Sequence, residues 1–187
     1  MNKVKAAVFA SGTGSNFQAM MEDPALPCDI VRLVCDKPGA PVIGKAENYG
    51  LNTFVFSAND YENKATYEQE IVDVLRQDGI EWIFLAGYMR LLGETLLNQF
   101  EGKIVNIHPS LLPAFPGKDA VGQAYRAGVK VTGVTVHFVD EGMDTGSIIA
   151  QEAVRVYEND TVESLHRRIQ EVEHRLYPNV IKELLQK

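Results

Sequence analysis

VKAAVFASGTGSNFQAMM, residues 4–21, decides the fold. Val4 to Ala10 is a short apolar run of the kind that forms a buried strand. Ser11-Gly12-Thr13-Gly14-Ser15-Asn16 follows without a break, and Phe17, Ala19, Met20 and Met21 then recur at helical spacing. Strand, glycine-rich turn and helix start make an arrangement able to cradle a phosphate, because the new helix presents free amide hydrogens to it. Gly12 and Gly14 let the backbone bend and let an anion approach, while Ser15 and Asn16 can cap the helix or bond a ligand. The same residues also suit a tight turn with a capped helix. Phe17 stands where a dinucleotide fingerprint has its third glycine, and no Lys-Ser or Lys-Thr follows to make a P-loop.

From this unit outward, strands and helices alternate. Ile30–Cys35 reads as a second strand, closed by the turn Asp36-Lys37-Pro38-Gly39. Val42–Tyr49 reads as a helix capped by Gly50, and Thr53–Phe56 as a third strand. Tyr67, Ile71, Val74 and Leu75 share one face of a helix over 61–77 that Gly79 stops. Lys64, near its start, is either a solvated cation or one that reaches an acidic ligand across a cleft. Trp82–Ala86 is a fourth strand. It delivers Gly87-Tyr88-Met89-Arg90-Leu91-Leu92, a mixture that suits a flat, partly polar ring as well as a loop packed on the core. A short helix over 96–100 follows. This alternation predicts an α/β fold: an open, mostly parallel, Rossmann-like sheet with helices on both faces.

Ile104 to Pro113, IVNIHPSLLP, brings the next strand to an end at Pro109, which has no amide hydrogen for a ladder. Asn106 and His108 lie two apart and emerge on one face, with Ile107 directed into apolar packing between them. Each has an ordinary reading, His as a hydrogen-bonded structural residue and Asn as turn chemistry beside proline. Their pairing at a strand end is what suggests a site, because parallel sheets carry their sites at carboxyl ends.

Beyond Pro113 the chain is irregular, then helical over 119–126. Val131–Val139 and Ser147–Val156 alternate as strands. The loop between them has no room for a helix, so they form an antiparallel pair. Asp144, flanked by glycines in that loop, is locally best read as a turn residue. A long C-terminal helix starts after the cap Asp160-Thr161 and runs to about Leu185. Its buried stripe is Val162, Leu165, Ile169, Val172, Leu176, Val180 and Leu184. Glu163 with Arg167, and Glu171 with Arg175, are outer i,i+4 pairs. Glu173, at the stripe's edge, either snorkels to solvent or faces a polar cavity.

Composition narrows the function classes. At 187 residues the chain makes one sizeable domain, expected over 1–187, with no repeat or linker to mark a second. A formal net charge of −7 leaves no general attraction for nucleic acid, so anionic ligands need local donors. Cys28 and Cys35 form no CxxC and no metal-like cluster with the four histidines, and read as reduced side chains of a cytoplasmic protein. The stretch from Met1 to Ala10 is too short for a secretory leader, and no run reaches membrane-spanning length.

The chain resembles the folate-dependent formyltransferases, and within them the phosphoribosylglycinamide formyltransferases of purine biosynthesis and one-carbon metabolism. The resemblance covers essentially its whole length. It rests on SGTGSNFQAM, LAGYMRLL, NIHPSLLP, GVTVHFVDEGMDTGSIIAQ and EHRLYP. It implies a transferase that moves the formyl group of 10-formyltetrahydrofolate, a co-substrate, directly to the amine of glycinamide ribonucleotide, with no metal. By position, Asn106, His108 and Asp144 would be the catalytic trio. Gly14, Ser15, Asn16 and Glu173 would hold the ribonucleotide. Met89, Arg90, Leu91 and Leu92, with Asn106 and the loop Asp140, Glu141, Gly142, Met143 and Asp144, would line the folate pocket, and Lys64 would approach the folate tail. Such a reaction needs donors placed in advance for a developing oxyanion. Asn106 and a protonated His108 supply them, with Asp144 nearby to help move the amine proton.

Two departures stand out. Lys118-Asp119-Ala120-Val121 replaces a segment often rich in histidine, and Lys64 replaces an arginine of some relatives, losing a bidentate grip. The implied partners are small molecules, with no nucleic acid and no membrane, acting on a monomer or homodimer. The competing readings are a non-catalytic folate- or nucleotide-binding module and a formyltransferase acting on another amine. A tRNA formyltransferase lacks its basic domain here, and a dehydrogenase its third glycine.

Overall fold

The computed structural model describes residues 3–186; Met1 and Asn2, at the start of the Met1–Ala10 stretch, and Lys187 lie outside them. One seven-stranded sheet runs through the chain: β1 (Val4–Ala10), β2 (Cys28–Cys35), β3 (Asn52–Val55), β4 (Trp82–Leu85), β5 (Ile104–His108), β6 (Val131–Phe138) and β7 (Ile148–Arg155). Its order is β3-β2-β1-β4-β5-β6-β7. The first five strands pair in parallel. β6 and β7 are added antiparallel, as a connection with no room for a crossover helix requires.

Helices α1 (Ser15–Met21), α2 (Pro41–Asn48), α3 (Lys64–Asp78), α4 (Glu94–Gln99), α5 (Ala120–Ala127) and α6 (Val162–Leu185) connect or follow the strands. The period-2 alternation of β1 divides the core into two layers. Ala6, Val8 and Ala10 pack with Phe17 and Met20 of α1, Val42 and Ala46 of α2, and Leu165, Ile169 and Tyr177 of α6. Ala7 and Phe9 face the other way, against Tyr67, Ile71 and Leu75 of α3 and Leu96 of α4. A strand buried on both faces reads as the continuous apolar run seen at Val4–Ala10.

Local chemistry sets the boundaries. Gly79 ends α3 in the left-handed region, and Asn63 caps its start by accepting from the Thr66 amide. Thr161 and Ser164 form a capping box at the start of α6. Most expected boundaries hold to within one to three residues; the helix expected over 61–77 starts instead at Lys64, after a 3-10 turn at Ala58–Asp60.

Three expectations are corrected. α1 has no side-chain cap: Gly14, at φ 74°, is its N-cap, and Ser15 and Asn16 are already helical. The pairs Glu163–Arg167 and Glu171–Arg175 do not form ion pairs; Arg175 reaches Glu152 of β7 instead. For Arg175, a carboxylate across the fold wins over an exposed i,i+4 pair worth a few tenths of a kcal/mol. The fully buried line of α6 is Leu165, Ile169, Glu173, Tyr177, Val180 and Ile181, so Glu173 sits within the stripe rather than at its edge, while Val162, Val172, Leu176 and Leu184 are its half-buried flanks.

Candidate active site

The chain leaves β1 toward β2 and β3, then crosses back through α3 to lay β4 on β1's other side. The crevice outside the carboxyl ends of two such strands is where open α/β sheets bind ligands. A cleft of about 510 Å³ opens there. Its walls are the turn Gly12–Asn16, the segment 87–92, the end of β5, the loop after β6, and one face of α6.

The turn owes its shape to Gly14. A Cβ built there would lie 2.4 Å from Val42 Cγ2, and its φ of 74° disfavours any other residue. The Val42 amide, at the start of α2, donates to the Gly12 carbonyl and ties the turn to the next helix.

Asn106 and His108 emerge together on the same face of β5 as Ile104, which packs in the α3 and α4 layer, while Val105 and Ile107 face the opposite layer. Register places His137 of β6 opposite Asn106, and Thr135 opposite His108. His137 is buried, and burial pulls its pKa below the ordinary imidazole value, more than Asp144 and the Phe138 carbonyl raise it. Its Nδ1 lies 2.8 Å from the Phe138 carbonyl and therefore carries the proton. Nε2 is then an acceptor, 3.2 Å from Asn106 Nδ2. This neutral ring fixes which way the Asn106 amide faces and takes one of its two protons.

Both nitrogens of His108 meet acceptors. Nε2 lies 2.9 Å from the Phe115 carbonyl, and Nδ1 lies 3.5 Å from Asp144 Oδ2. Asp144 adopts φ 55° and accepts from the Gly117 amide at 2.8 Å, so the 140–146 loop is locked to the segment after Pro116. Its other oxygen is 3.8 Å from His137 Nε2, too long for a hydrogen bond. Asp144 is thus more than the turn residue its local sequence suggests. Thr135 anchors the intervening segment, accepting from the Leu112 amide and donating to the Ser110 carbonyl.

Across the cleft, α6 presents His166, Gln170 and Glu173, three and four residues apart on one face. Burial raises the Glu173 carboxyl to about 7, and a hydrogen bond from Asn16 opposes that rise. Asn16 Oδ1 is buried with no partner among the described residues.

The structure therefore brings together in one cleft Gly14, Ser15, Asn16, Met89, Arg90, Leu91, Leu92, Asn106, His108, Asp140, Gly142, Met143, Asp144 and Glu173. Glu141 does not line it. Neither does Lys64, whose ammonium donates to the Leu91 carbonyl at 2.9 Å and braces the 89–92 segment from behind. His137, His166 and Gln170 escaped the sequence reading. The spacing back from Glu173 could have found the last two, but His137 becomes visible only with the β5–β6 register. Among the described residues no group of three or more His, Cys, Asp or Glu is arranged to hold a metal ion, and no helix is long and apolar enough to cross a membrane.

Residues 4–181 match the formyl transferase family, and a doubly wound sheet with this cleft defines the class: a folate-dependent formyltransferase. The phosphoribosylglycinamide formyltransferase of Bacillus subtilis (strain 168) is 58% identical over 184 residues, covering 97% of this chain and 94% of that protein. The crystal structure of glycinamide ribonucleotide transformylase 1 from Geobacillus kaustophilus superposes with a TM-score of 0.95 at 58% identity, covering 98% of this chain and 100% of that one. The trifunctional purine biosynthetic protein adenosine-3 of Gallus gallus is 45% identical over 97% of this chain, which spans 18% of that protein. The chain belongs to the phosphoribosylglycinamide formyltransferase family.

Proposed function

We propose that this enzyme transfers the formyl group of 10-formyltetrahydrofolate to the amine of glycinamide ribonucleotide, releasing formylated ribonucleotide and tetrahydrofolate. The observation that carries the reading is the convergence of Asn106, His108 and Asp144 on one side of a cleft with the Gly12–Asn16 turn and Glu173 on the other.

The residues fit both substrates. The turn's amides suit the ribonucleotide phosphate, and the orphan oxygen of Asn16 beside Glu173 suits a hydroxyl or amine donor. Met89, Leu91 and Met143, each about half exposed at the mouth, suit the flat faces of a reduced pterin. Lys64 serves the folate through the loop that it braces.

The folate supplies the formyl carbon. As the amine nitrogen bonds to it, the carbonyl oxygen gains charge, and the N10–carbon bond then breaks. Asn106 offers that oxygen the amide proton that His137 leaves free. His108 offers its Nε2 proton, for which the oxyanion competes with the Phe115 carbonyl. Asp144 faces the His108 ring and stands ready to pass the proton lost by the amine toward N10. We place the enzyme in the cytoplasm, as a monomer or homodimer; its two cysteines, free and buried, agree with a reducing compartment.

The test incubates purified protein with both substrates and follows the nucleotide by mass. A gain of one CO that disappears with His108→Ala supports the reaction and its centre. Folate binding without that gain points to another amine or to a binding module, and no folate binding overturns the reading.

A further inference from the structure

We propose that Ser11, Asp36 and Arg90 form a coupling element through which the two substrates raise each other's affinity. The inference rests on the reading above, in which the glycine-rich turn takes the ribonucleotide phosphate and the 89–92 segment takes the folate.

Asp36 closes β2 at the carboxyl end of the sheet, and its side chain is 2% exposed. A carboxylate this dry is expensive to keep unless both oxygens are paired. Of its two partners, Arg90 lines the cleft and Ser11 immediately precedes the Gly12–Asn16 turn that does. One oxygen accepts from the Oγ of Ser11, the residue that leads into the turn, and the other accepts from Arg90 Nε at 2.9 Å. The Ser11 hydroxyl has a single proton, which goes to Asp36, so its lone pair is free to accept the Met89 amide at 2.9 Å. The Ser11 amide in turn donates to the Gly87 carbonyl. The turn and the folate segment are thus joined through one hydroxyl and one carboxylate, and neither can shift without disturbing the other.

A ligand that steadies the turn fixes Ser11, and through it the Met89 amide and the Asp36–Arg90 pair. The second ligand then meets a wall that is already ordered and loses less freedom on binding. Linkage makes the effect reciprocal. Ser11 and Asp36 are positioning residues: they act through Met89 and Arg90 and touch neither reacting atom.

The experiment is a calorimetric titration of tetrahydrofolate, which has no formyl group to transfer, with and without saturating glycinamide ribonucleotide. The wild-type affinity for tetrahydrofolate should rise at least about five-fold with the nucleotide present, and Ser11→Ala should cut that rise to less than about two-fold. A residue needed only for folding would lower the melting temperature of the variant and leave this ratio unchanged. Asp36→Asn, which keeps the shape and removes the charge, should lose the ratio too, and it serves as the second variant if Ser11→Ala unfolds. Binding of both ligands to the wild type without mutual enhancement overturns the coupling, as does a Ser11→Ala protein that keeps it. Failure of either ligand to bind the wild type overturns the functional reading beneath it.

Discussion

Asn106 has two amide protons, and His137 accepts one of them. The other faces the cleft. If it stabilises the oxyanion, Asn106→Ala should lower kcat by about 10²–10³-fold, the usual effect of losing one such donor. Steady-state kinetics beside a melting curve checks this, since a matching fall in stability would point to a structural role. Glu173 makes a different prediction. Its carboxyl titrates near 7 in the fold against 4.5 in an open chain, so the folded protein binds that proton more tightly. Its contribution to stability is complete below about pH 4.5 and is lost as pH rises through 7, by ~3 kcal/mol in all. Glu173→Gln, neutral throughout, should remove this slope; urea midpoints at pH 5 and pH 8 would then lie closer together than in the wild type. An unchanged slope would mean that burial does not govern the group. Asn106 and His108 were legible because strand alternation is local and Pro109 marks where it stops. His137 was not, because an apolar strand with one imidazole reads as core until its neighbour is known.

Among the elements, α6 ties the site to the sheet. The Tyr177 hydroxyl, fully buried, lies 2.9 Å from the Leu85 carbonyl and 3.0 Å from that of Val105, at adjoining positions of β4 and β5. One turn earlier on the same helix is Glu173, and one residue beyond Val105 is Asn106. Tyr177→Phe leaves two buried carbonyls without this donor and should cost about 1–3 kcal/mol of stability, read as a lower urea midpoint. No loss would show that other donors serve those carbonyls. The helix was legible in outline, from its cap to its end. Its facing was misread by one position, because a carboxylate looks like surface and a tyrosine like a flank. The tertiary setting overrides both when the carboxylate opens into a cleft and the hydroxyl finds carbonyls.

For the whole molecule, the sheet passes without interruption from β3 to β7, and both core layers share its central strands. We expect one cooperative unfolding unit. Far-ultraviolet circular dichroism and fluorescence of Trp82, which is buried on β4, should report a single coincident urea transition. Two separated transitions would show that the antiparallel end melts apart from the rest. The strand alternation made the parallel half readable, and the lack of room for a helix in the 140–146 loop did the same for the antiparallel half. The meeting of Asp144 with Gly117 and His108 was not readable, since it depends on two irregular segments closing on one another.

The pairing of Asn106 with His137 also makes activity a test of alignment. Side chains on β6 change face at every residue, so a slip of one position against β5 would set Val136 or Phe138 beside Asn106 and turn the imidazole to the opposite layer. Gly133 guards the neighbouring β6–β7 register, since any side chain there would strike the Glu152 carbonyl 2.2 Å away. A molecule that closed its sheet one notch out would keep its strands and its bulk and carry out no chemistry.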